Sequence, residues 1–150
     1  MTFALAILVA WLGPVGGPQM DPIESLFVAI EAEEGWNGKP GKAGEHGPLQ
    51  IQRAYYEDAL EQLRREGDPN YERLREPGYP AAVLSLDDAK LLARAYWRRW
   101  EPWEYARVAS PIGSFEALAR CHNGGPQWRT KPPEVRARTA GYWRRVKERL

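Results

Sequence analysis

The chain has 150 residues, enough for one domain with a core of its own and too few for two. Twenty-one Lys and Arg against twenty Asp and Glu leave a net charge of +1, without the basic excess of a dedicated nucleic-acid binder. Hydrophobic residues at 43% argue against extended disorder, and a single cysteine, Cys121, excludes an internal disulfide and a cysteine-ligated metal site.

No charged side chain occurs from Met1 to Met20, and Phe3–Leu12 is an unbroken apolar run ended by Gly13-Pro14. The run is too short to span a bilayer, so no stable membrane span is expected. Its length suits the hydrophobic region of a secretory signal, with Gly16 and Gly17 near a cleavage point, although Lys and Arg are missing ahead of it. Residues 1–20 are therefore expected to be a signal peptide or N-terminal hydrophobic segment, and 21–150 the folded domain. A tethering or unstructured tail is the plainer alternative. Export without disulfides fits a bacterial envelope, periplasmic or extracellular.

From Asp21 the helices are legible. Asp21 is an N-cap and Pro22 takes the first helical position. Ile23, Leu26, Phe27 and Ile30 make one apolar stripe, and Gly35 is placed to end the helix. Residues 35–48, with five glycines and two prolines, predict a loop or short hairpin, to which Leu49-Gln50-Ile51 adds a strand. Helix returns from Arg53 to about Glu66. A polar, proline-containing connection covers 67–84. Ser85 caps a helix reaching Trp100, a short turn covers 103–108, and Ser114 caps a helix stopped by Gly124-Gly125-Pro126. A last helix covers 134–150, with Tyr142, Trp143 and Val146 inward. The fold class is α+β, mainly helical, with a short glycine-rich β-hairpin or strand insertion after the first helix.

The first helix ends in Glu31-Ala32-Glu33-Glu34. Glu33 prolongs the buried stripe, and a carboxyl half against apolar side chains has a raised pKa, as a general acid near neutral pH requires. Glu34 follows Ile30 by four, so periodicity does not choose between them, and a solvated acidic helix end is the bland reading of both.

Two further fragments are unusual for plain loops. Gly47-Pro48-Leu49-Gln50-Ile51 is followed by Tyr55, Tyr56 and Asp58; His122-Asn123-Gly124-Gly125-Pro126 is followed by Tyr142-Trp143-Arg144-Arg145-Val146. In this order, after a helix-ending Glu, they resemble the invertebrate-type (destabilase) lysozymes and their disulfide-poor bacterial relatives over about residues 22–148. Glu33-Glu34-Gly35-Trp36-Asn37 is also similar, more distantly, to the Glu-Ser-Gly-aromatic-Asn element of lytic transglycosylases. The resemblance implies a lysozyme-like domain with Glu33 as catalytic acid. It departs from the family in having no disulfide, and in Pro40 where those lysozymes carry an Asp seven residues before the strand's first Gly. Glu45, two residues before Gly47, is the nearest carboxylate and the candidate second catalytic group.

Glycan chemistry assigns the remaining roles. Sugar hydroxyls need fixed amides, here Gln50 and Asn123; C–H faces stack on aromatics, with Trp36 and Trp128 as platforms; Gly124 and Gly125 let backbone approach the glycan. Tyr55 and His122 complete the expected substrate-binding set, although His122 also reads as a structural residue beneath its turn. Trp97, Trp100 and Trp103, spaced by three, read as core or helix packing. No serine sits in a nucleophile motif, so peptidase activity is not expected, and two histidines without a third spaced ligand imply no metal; no cofactor is implied either. From Arg129 to Leu150, eight basic residues face two acidic ones, either a solvated face or an attraction to anionic wall. The expectation is an exported monomeric enzyme cleaving the β-1,4 bond between N-acetylmuramic acid and N-acetylglucosamine of peptidoglycan. A lytic transglycosylase forming 1,6-anhydro products and a non-catalytic glycan-binding module are the alternatives.

Overall fold

Asp21 opens the first helix, α1 (Pro22–Glu34): its carboxylate accepts from the Ile23 N–H at 3.0 Å, and Gly35, left-handed, closes the helix by donating to the Glu31 carbonyl. The structure, a computed structural model, describes residues 21–108 and 111–150; the expected leader of residues 1–20 lies outside the described residues. Beyond α1 follow α2 (Arg53–Glu66), α3 (Asn70–Arg75), α4 (Leu86–Trp100), α5 (Pro102–Ala106), α6 (Pro111–Gly124) and α7 (Pro133–Lys147), with single 3₁₀ turns at Ala81–Val83 and Trp128–Thr130. Gly67 and Ser85 terminate α2 and cap α4 as their chemistry dictates.

The domain is mainly helical. The glycine-rich segment forms one antiparallel bridge, His46 to Ile51, with reciprocal bonds of 3.0 and 2.9 Å, and among the described residues no strand. The expected β-hairpin does not form because nothing extends the ladder. The turn Gly47-Pro48-Leu49-Gln50 closes on one side of the bridge, the Glu45 carbonyl is taken by the Gly41 N–H on the other, and α2 starts two residues after Ile51. Gly47 is irreplaceable in this turn. Its φ is +75°, and a Cβ there would lie 1.8 Å from the Val83 carbonyl oxygen.

Three smaller expectations change. The 67–84 connection orders itself around buried Leu74 and Val83, producing α3 and a 3₁₀ turn. Ser114 lies inside α6 rather than capping it, since Pro111 begins the helix; Ser114 is buried and donates to Glu104 at 3.4 Å. Trp103, expected to pack, is 81% exposed on the one-turn helix α5.

Helix α2 packs on α4, α6 on α7, and α1 lies against both α6 and α7. Leu26, Phe27 and Ile30 of α1 are fully buried, with Trp97 of α4 stacked on Phe27 at 5.1 Å. Leu49 and Ile51 are also fully buried, so the glycine-rich loop is pinned to the core by two side chains worth roughly 1.5–3 kcal/mol each. That pinning, with the end of α1 and the turn after α6, positions the site. No helix among the described residues is long and apolar enough to cross a membrane.

Candidate active site

A cavity of about 540 Å³ opens where the end of α1, the 41–52 loop, α2 and the 122–126 turn converge. Glu45, Gln50, Tyr55, His122, Asn123, Gly124 and Gly125 all line it. Three expected residues, Glu33, Trp36 and Trp128, do not. Glu33 turns away from the cavity, paired with Arg145 and, at 3.2 Å, with Arg149. The carboxyl that α1 delivers to the cavity is Glu34, so Glu34 stands where Glu33 was expected. Trp36, about one-third exposed, borders a separate shallow groove beside Val28 and Pro48.

Glu34 accepts a 2.8 Å hydrogen bond from the Tyr142 hydroxyl of α7. Burial raises its carboxyl from the ordinary 4.5 to about 7; the Tyr142 bond works in the opposite sense, and the negative charges of Glu33 and Glu45 add to the rise. Glu45 is biased the other way. Burial acts against its ionisation, but backbone N–H groups, including that of Ala43 at 2.9 Å, and the Gln52 amide at 3.3 Å outweigh it and hold the carboxyl below its usual value. Glu34 and Glu45, two of the carboxyls lining this cavity, are thus driven apart, one towards the acid and one towards the carboxylate.

Beneath them His122 is buried and neutral. Its Nε2–H donates to the Leu49 carbonyl at 2.9 Å, which leaves Nδ1 to accept from the Tyr55 hydroxyl at 3.2 Å. Burial, opposed by the Leu49 bond, lowers its pKa from 6.5 to about 4. With both ring nitrogens engaged and Tyr55 stacked on Tyr96 at 3.6 Å, this pair forms the rigid floor of the cavity and locks the 47–50 turn to α6. His122 and Tyr55 are positioning residues here. The hydroxyl of Tyr55 and both nitrogens of His122 are committed within the protein.

Groups free to meet a ligand lie above that floor. The Asn123 side-chain oxygen is buried without a hydrogen-bond partner among the described residues. Gln50, at φ +47°, is held by its amide donating to the Gly47 carbonyl at 2.9 Å, which leaves its Oε1 towards Gly41. Gly41 gives these two side chains room: a Cβ there would fall 2.4 Å from Glu45 Oε2 and 2.6 Å from Gln50 Oε1, so both side-chain ends would have to shift. The glycines of the 122–126 turn serve packing as well as access. A Cβ on Gly124 would strike Thr139 of α7 at 2.5 Å, while Gly125, at φ +76°, lies against Lys131.

Trp128 is a correction: it is buried, donates to Glu101 at 3.0 Å, and is flanked by the guanidiniums of Arg120 and Arg129, so it offers no stacking face. Glu34, Gln52, Asp58, Tyr96, Lys42, Lys131 and Arg138 line the cavity outside the expected set. A local signal existed for Glu34, four residues after Ile30. Asp58 was visible only as part of a motif, and it is held by Trp100 at 3.1 Å and Arg99 at 3.4 Å. Lys131 and Arg138 were visible only as members of the basic 129–150 run. Comparison with protein-family models, with curated proteins and with solved structures finds no match to this chain.

Proposed function

We propose that the chain is a lysozyme-like glycosidase that cleaves the β-1,4 bonds of peptidoglycan, with Glu34 as general acid. The observation that carries the reading is one cavity lined by two carboxyls of opposite bias, Glu34 raised to about 7 and Glu45 held ionised. In the step this allows, protonated Glu34 gives its proton to the bridging oxygen as the bond from the anomeric carbon breaks. The ionised Glu45 stabilises the developing positive charge and then either bonds to that carbon or takes a proton from the attacking water. Asn123 and Gln50 supply amides for sugar hydroxyls or an acetamido group. The ionised Glu45 favours hydrolysis over the single-acid, anhydro-forming route. The apolar leader of residues 1–20 accords with export to a bacterial wall.

Mass spectrometry of fragments released from purified peptidoglycan tests the reading. The wild type is expected to release muropeptides with free reducing ends. Glu34→Gln should lose activity by about 10²-fold or more, while Glu33→Gln keeps most of it. Products lighter by one water would assign a lytic transglycosylase. Sedimentation with the wall without any release would leave a binding module.

A further inference from the structure

The cavity is charged asymmetrically. Its acidic side chains, Glu34, Glu45 and Asp58, all come from the chain before residue 59, whereas the wall built after residue 123 contributes Lys131 and Arg138 and no acid. Lys131 is a placed cation. Extended backbone precedes Pro132-Pro133, the side chain is half-buried, and Nζ donates to the Gly124 carbonyl at 2.8 Å. A Cβ on Gly125 would sit 3.3 Å from that nitrogen, so the bare glycine makes room for it. An ammonium has three protons to donate, and only one is used by that carbonyl. Among the described residues neither Lys131 nor Arg138 pairs with a carboxylate, although most of the acids elsewhere on this surface are taken by arginines or lysines. A half-buried cation left without an anion beside a catalytic cavity matches an anion delivered by the substrate.

We propose that this basic wall, Lys131 supported by Arg138, is a subsite for a carboxylate carried by the glycan, so that the cavity selects acidic amino-sugar strands over neutral ones. The inference rests on the glycosidase reading and names its substrate class. The anionic group lies beside the cleaved bond rather than on it. The acid wall holds the sugar ring and its bridging oxygen, while the opposite wall takes a carboxylate-bearing substituent, which in peptidoglycan is the lactyl ether or the peptide attached to it.

Binding to the non-cleaving Glu34→Gln protein tests this with three probes: neutral N-acetylglucosamine oligomers, peptide-free glycan strands with free lactyl carboxylates, and peptide-bearing strands. Adding Lys131→Met and Arg138→Met should weaken binding of the acidic probes by about ten- to a hundredfold and leave the neutral oligomer unchanged. Lys147→Met, which removes an exposed α7 charge away from the cavity, should change neither. The effect should shrink as salt rises from 0.05 to roughly 0.5 M, since the Debye length contracts over that range. A loss on peptide-free strands alone identifies the lactyl carboxylate, which the amide bond consumes in peptide-bearing strands; a loss on peptide-bearing strands alone identifies a stem carboxylate, and a loss on both shows that either carboxylate occupies the subsite. Equal weakening of neutral and acidic probes, or none, overturns the subsite while neutral-oligomer cleavage by the wild type still upholds the glycosidase. Failure of every glycan to bind or be cleaved overturns both.

Discussion

Glu34→Gln should change the pH dependence of stability as sharply as it changes activity, in a direction the cavity fixes. Folded, Glu34 holds its proton up to about pH 7; unfolded, it releases it near 4.5. Between those values the native state carries a proton that the unfolded chain has lost. Raising pH through the window therefore costs stability, by at most about 1.4 kcal/mol per pH unit and about 3 kcal/mol in all. Gln carries no titrating proton and can still accept from Tyr142, so the variant escapes this loss. His122 acts in the opposite sense: buried and neutral, with its pKa lowered from 6.5 to about 4, it adds stability as pH rises from about 4 to 6.5. In the wild type the two slopes offset each other over about pH 4.5–6.5, and the profile there is nearly flat. In Glu34→Gln the His122 slope stands alone and stability climbs. Urea unfolding followed by tryptophan fluorescence at about pH 5, 6, 7 and 8 reads this directly. The difference, variant minus wild type, should grow across the series and level off above about pH 8. A difference that is constant or shrinks with pH would show that Glu34 ionises at its ordinary value, and the acid would have to be sought elsewhere.

Two further substitutions test the frame of the cavity. Gly47→Ala places a methyl group against the Val83 carbonyl at an unfavourable φ, and should cost about 3 kcal/mol or more in thermal or urea unfolding; a loss under about 1 kcal/mol would mean that the turn shifts freely and does not define the cavity. Glu101→Ala strands the Trp128 N–H and the Arg129 guanidinium that the buried Glu101 carboxylate accepts from at 3.0 and 2.7 Å, with an expected loss of about 2–4 kcal/mol, while Glu101→Gln recovers part of it by keeping one acceptor.

Much of the framework was legible in the sequence because its signals are local. A capping Asp before Pro22, a helix-closing Gly35 or Gly67, and a Gly-Gly-Pro stop after α6 act through bonds spanning a few residues, and each helix they predict is present. The 47–51 and 122–125 segments, singled out by residue type, contribute to one cavity, and the bond from His122 to the Leu49 carbonyl is what joins them. The β-insertion failed for a reason that alternation of residue types does not carry. A strand needs a neighbour of adequate length, and this loop turns into α2 before a second pair can form. Trp128 failed as a platform because its loop position said nothing of Glu101, a partner 27 residues away.

The choice between Glu33 and Glu34 was beyond local pattern for a related reason. Adjacent helical residues point about 100° apart, so one position separates a carboxyl inside the cavity from one outside it, and both sat near the apolar stripe. The decision is made by α7, more than a hundred residues downstream. Tyr142, Arg145 and Arg149 recur at intervals of three and four and so share one side of that segment. The hydroxyl meets Glu34 and the two guanidiniums meet Glu33. The division matters electrically. A guanidinium bonded to Glu34 would hold it ionised, whereas a neutral hydroxyl fixes its position with a weaker pull on its proton, and the neighbouring charge of Glu33 adds to the cost of a second charge next to it. One side of α7 and of the turn that follows it therefore sorts two neighbouring glutamates into an ion-paired anchor and a carboxyl that faces the cavity. The closing helix, read from sequence with Tyr142 inward, determines which of the two carboxyls the cavity receives.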